Sequence, residues 1–60
     1  MPQDKHDEPG ETRKAVASYL VAMTGEMAGL ARRNRLDMLG YLLEMARLEA
    51  EGIVRSEAQP

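Results

Sequence analysis

Sixty residues carrying eight basic and ten acidic side chains, for a formal charge of −2, make one small domain at most, and at this size folding hides only about 60% of the surface the unfolded chain exposes. The absence of cysteine excludes a disulfide framework and every thiolate metal site, and the near balance of charge gives no global field toward nucleic acid or an anionic membrane. Any fold here is marginal unless something outside the chain supports it.

Residues 1–10 hold two of the three prolines and no large apolar residue after Met1, so they bury too little to offset their own ordering and are expected to be a flexible leader. They also lack the basic-then-apolar order of a secretory signal, and the longest uncharged run, residues 15–25, is about half of what spans a bilayer. The expectation is a cytoplasmic protein with no membrane segment.

From Thr12 onward, Val16, Leu20, Met23, Met27 and Leu30 recur at spacings of four, three, four and three, the stripe of an amphipathic helix over about residues 11–34. Thr12 is the expected N-cap, with Gly10 competing for the role. Ser18, Ala22, Gly25 and Gly29 form a smooth ridge on the back of this helix, read as a sparsely charged solvent face or, if it is a contact, as a place for a further helix.

Between residues 32 and 37 the chain reads as a stop followed by a start. Asn34 tolerates the left-handed backbone that ends many helices, and the arginines suit the negative C-terminal end of the dipole. Asp37 is the expected cap of a second helix over residues 37–55, with Leu36 and Tyr41 placed as a hydrophobic staple. So short a link returns the second helix antiparallel to the first. Residues 56–60 are expected to be a flexible tail.

At 100° per residue, the apolar positions of the second helix sweep from Leu48 through Tyr41, Met45, Met38, Leu42, Ile53, Ala46, Leu39, Ala50 and Leu43 to Val54, an arc of about 240°. Gly40, Glu44, Arg47, Glu51 and Arg55 fill the rest. One neighbouring helix covers only about 100°. The expected fold is therefore all-α, an antiparallel two-helix hairpin that dimerises into a four-helix bundle, with Val16, Leu20, Met23, Met27, Leu30, Leu39, Leu42, Leu43, Met45, Ala46 and Ile53 as the core and dimer interface.

Few residues point to chemistry. Ser18 and Thr24 have no histidine or lysine placed to activate them, no glycine-rich phosphate loop is present, and His6 lies in the leader, so the Glu-x-x-His pairs of a bundle di-iron site are absent. The reading is a non-enzymatic interaction protein with no cofactor and no metal, whose partners are itself and a further protein. Met23, Met27, Met38 and Met45 read as core gap-fillers or as an adaptable docking surface. Glu49, inside the apolar arc, reads as a solvent-reaching carboxylate paired with Arg13 or Lys14, or as a partner-reading charge. Arg32, Arg33 and Arg35 at the bend supply the alternative, a small nucleic-acid-binding regulator, against which stand the negative net charge and the apolar placement of both tyrosines.

The stretch LDMLGYLLEMARLEAE, with the preceding AGLARRNR, resembles small bacterial helical-hairpin proteins of about this length whose function is unknown. That resemblance implies a bacterial cytosolic origin and brings no activity. In architecture alone the expected dimer is similar to Rop, a helical-hairpin dimer that binds RNA, but no motif here matches Rop's RNA-contacting residues.

Overall fold

A computed structural model describes residues 12–58. The expected leader, residues 1–10, lies outside them. Two helices account for nearly all of the described chain, α1 over Arg13–Arg33 and α2 over Asp37–Ala58, packed antiparallel against each other. The second helix continues three residues past the expected end at 55, taking Ser56–Ala58 out of the expected tail, whose remaining residues 59–60 are not described.

Thr12 begins α1 as expected: its backbone is extended, and its hydroxyl accepts a hydrogen bond from the Ala15 N–H at 3.1 Å. That contact satisfies one of the four N–H groups a helix start leaves without partners.

The bend differs in detail from the expectation. Asn34 caps α1 with φ −109°, and it is Arg35 that takes the left-handed conformation, at φ 63°. The Leu36 N–H donates to the Ala31 carbonyl at 2.9 Å and the Arg35 N–H to the Arg32 carbonyl at 3.1 Å, the two bonds of a Schellman motif. Asn34 uses its side chain instead, with Nδ2 donating to the Leu30 carbonyl at 2.9 Å. The asparagine is thus spent on an orphan carbonyl, and the left-handed site falls to the next residue.

Leu36 also accepts the first hydrogen bond of α2, from the Gly40 N–H at 2.8 Å. Asp37 therefore lies inside the first turn of α2, complementing the helix dipole from there, rather than outside it as the expected cap. One residue closes the first helix and opens the second, which fixes the tight reversal.

The helices meet through small residues. On α1, Ala17, Val21, Thr24, Ala28 and Ala31 follow a four-three-four-three spacing of their own, one residue after the large stripe; Val21 is half-buried and the other four are buried. On α2, Gly40 and Ala50 are buried, and Leu43, Arg47 and Val54 at matching spacing are half-buried. The buried apolar core is four alanines, Ala17, Ala28, Ala31 and Ala50, between 1 and 6% exposed. The flank of α2 that meets α1 is thus the one holding Leu43 and Val54, extended onto Gly40 and Arg47, two positions the angular count had assigned to the polar side.

Gly40 permits this approach. A Cβ there would stand 3.0 Å from Arg32 Cγ, 3.6 Å from the Ala28 carbonyl oxygen and 3.7 Å from Ala31 Cβ. Gly25 is likewise overlaid by the Arg47 stem, with a notional Cβ 3.2 Å from Cδ, so this part of the glycine ridge serves the sibling helix.

Candidate interaction surface

On one side of the helix contact lies a polar strip. Arg47 bridges Glu44 and Glu51, one turn away in either direction, with Nε donating to Glu44 Oε2 at 3.1 Å, and Arg32 reaches across from α1 to within 3.9 Å of Glu44. The hydrogen bond from Arg47 lowers the Glu44 carboxyl below the usual glutamate range, outweighing partial desolvation, and the positive charges of Arg47 and Arg32 act in the same direction. Hydrogen bonding to Glu44 in turn raises the Arg47 guanidinium.

The opposite side is apolar. Stepping back one residue from each contact position gives Val16, Leu20, Met23, Met27 and Leu30 on α1 and Leu39, Leu42, Ala46, Glu49 and Ile53 on α2. One residue is a rotation of about 100°, and in two antiparallel helices the same rotation away from the shared contact carries both stripes to the same side of the hairpin. They form one continuous face. Glu49 is its single charged member and is exposed; Arg13 pairs with Glu57 at 3.0 Å instead.

Most of the expected interface residues therefore lie on this open face rather than between the two helices. Val16, Leu20, Met27, Leu30, Leu39, Leu42 and Met45 are exposed, as is Ala46, while Met23, Leu43 and Ile53 are half-buried. In all, twelve large apolar side chains of the described residues are 41–69% exposed. Stepping back two residues from the contact positions of α2 reaches a further stripe, Met38, Tyr41, Met45 and Leu48, turned directly away from α1.

Arg32 and Arg33 at the bend are directed to different neighbours. Arg32 lies along α2 toward Gly40 and Glu44, Arg33 lies beside Gly29 on α1 with Nη1 3.5 Å from a notional Cβ there, and Arg35 occupies the left-handed position of the turn. An open hollow of about 420 Å³ between Met23 and Arg33 is lined only by α1 residues, among them Gly25, Gly29 and Glu26.

Ala17, Thr24, Ala28, Ala31, Gly40 and Ala50, which build the actual helix contact, were not singled out from the sequence as core. Their own heptad spacing was the available sign, masked by the larger side chains one position earlier. Thr24 satisfies its hydroxyl within its own helix by donating to the Leu20 carbonyl at 2.6 Å, so a polar residue enters the contact without leaving its donor unpaired. Among the described residues no cluster of acidic or histidine side chains could hold a metal ion, and no helix is long and apolar enough to cross a membrane. No family model matches this chain, and neither a curated protein nor a solved structure is similar to it at a level that carries an argument.

Proposed function

We propose that the chain is a non-enzymatic interaction protein that works as a homodimer, two hairpins pairing through their continuous apolar faces into a four-helix bundle. The observation that carries this reading is what lies between the helices: the hairpin encloses four alanines and leaves most of its leucines and methionines exposed. Burying a large apolar side chain contributes about 1.5–3 kcal/mol, so a contact made of alanines forgoes most of the stabilisation this sequence can supply. A second copy recovers it. Self-pairing is the simplest cover because a face symmetric about a two-fold axis needs no second gene product and closes without leaving an open end.

The alternative, a small nucleic-acid-binding regulator, has less support: Arg32 lies 3.9 Å from Glu44 and Arg33 beside Gly29, so two of the three arginines at the bend are directed to different neighbours.

Sedimentation equilibrium tests the dimer. The wild-type chain is expected to sediment at twice its 6.7 kDa mass at micromolar concentration, and Leu20→Glu, which puts a charge at the centre of the face, is expected to give a monomer with reduced helicity. A wild-type chain that stays a folded monomer across that range sinks the reading.

A further inference from the structure

Face-to-face pairing covers the stripe one residue before the contact positions, but not the stripe two residues before them. On α1 those outer positions are Ala15, Tyr19, Ala22, Glu26 and Gly29, mostly small or polar, as suits a bundle exterior. On α2 they are Met38, Tyr41, Met45 and Leu48, all exposed, with spacings of three, four and three, followed by the half-buried Gly52. Those four are a and d positions over two heptads, turned away from α1, and the pattern ends at Gly52 and Arg55.

We infer that this outer seam of α2 docks a basic amphipathic helix of a partner protein, an inference that rests on the dimer reading for the claim that a second copy is occupied elsewhere. The flanking charges decide the kind of occupant. With Met38 as a, the g positions are Asp37, Glu44 and Glu51 and one e position is Glu49, four acids set against three bases: Arg47, held between Glu44 and Glu51, Arg32 of α1, 3.9 Å from Glu44, and Arg55, at the d position one heptad beyond Leu48. The seam is bordered by an excess of negative charge.

The same charges argue against a second copy at this seam. An antiparallel pairing of two α2 seams opposes g with g, bringing Glu44 against Glu44 and Asp37 against Glu51 of the two chains. A parallel pairing opposes g with e, bringing Glu44 against Glu49. Acid meets acid in either orientation, whereas a helix with lysine or arginine beside its own apolar seam meets opposite charge in both. Methionine at the first two a positions, Met38 and Met45, lets the seam adapt to the side chains of a different helix.

The test uses the full chain and two fluorescently labelled synthetic helices with leucine at a and d, one carrying lysine and the other glutamate at e and g. Anisotropy titrations are expected to show the lysine helix binding at least about tenfold more tightly than the glutamate helix, with the advantage shrinking as salt rises. Met45→Glu is expected to abolish binding of the lysine helix while remaining a dimer by sedimentation, and Leu20→Glu to lose the dimer and to weaken binding only in proportion to its lost helicity. Equal binding of both helices, or of neither, overturns the inference. So does loss of binding in Leu20→Glu with retention in Met45→Glu, which places the helix on the broad face. If Met45→Glu turns the chain into a monomer, the seam is the contact between copies and the inference fails. A wild-type chain that is monomeric yet binds the lysine helix through Met45 removes the dimer reading alone.

Discussion

Arg35 holds a left-handed backbone that costs a residue with a Cβ about 1–2 kcal/mol, yet its N–H and that of Leu36 close the first helix. Glycine is free of that penalty, although it gives back some stability through a more flexible unfolded chain. Arg35→Gly is expected to stabilise the fold by about 0.5–1 kcal/mol, read from urea denaturation at fixed protein concentration. Glu44 gives a pH-dependent counterpart. Its folded-state pKa is lowered, so its contribution is present above the ordinary glutamate value and is lost as pH falls through the lowered one. Wild type should lose stability across that acidic window, and Glu44→Gln should show a flatter profile there; parallel profiles would mean that the Arg47 bridge contributes nothing.

Between the two helices the deciding quantity is side-chain size. With Gly40 beside Ala31, the antiparallel register sets Ala28 level with Leu43, Thr24 with Arg47, Val21 with Ala50 and Ala17 with Val54, a small residue in each pair. Gly40 has the least room, with Arg32 Cγ, the Ala28 carbonyl and Ala31 Cβ around the place a side chain would take. Gly40→Leu forces the helices apart at the bend and is expected to cost about 1–3 kcal/mol in denaturant unfolding. The sequence showed both helices, the bend and the cap at Thr12, because periodicity and capping are local. It did not show which of two adjacent stripes joins the helices. Val16 and Ala17, or Leu20 and Val21, differ by a single step of rotation, and ranking stripes by bulk selects the larger one.

For the whole molecule, the proposed dimer would tie the stability of the hairpin to association. A protein that gains its core from a second copy melts at a temperature that rises with concentration. Thermal scans by circular dichroism over a hundredfold range of concentration should show this rise, and an unchanged midpoint would argue that the alanine contact suffices. Glu49 sharpens the prediction, since it is the one charge on the broad face and has no cation beside it there among the described residues. Glu49→Leu removes the cost of drying that carboxylate and is expected to tighten the dimer severalfold, visible as a lower dissociation constant in sedimentation.

The sequence by itself determined that the chain is helical, that it reverses within a few residues, and that it holds more apolar surface than two helices can hide, since each follows from periodicity, local capping and a count of angles. Only the tertiary structure decided where that surface lies. The helices approach through the small residues Ala17, Ala28, Ala31, Gly40 and Ala50, because a larger side chain at these positions would hold the backbones apart. That choice turns the large side chains one step outward on both helices, so that two stripes read separately along the chain become a single face.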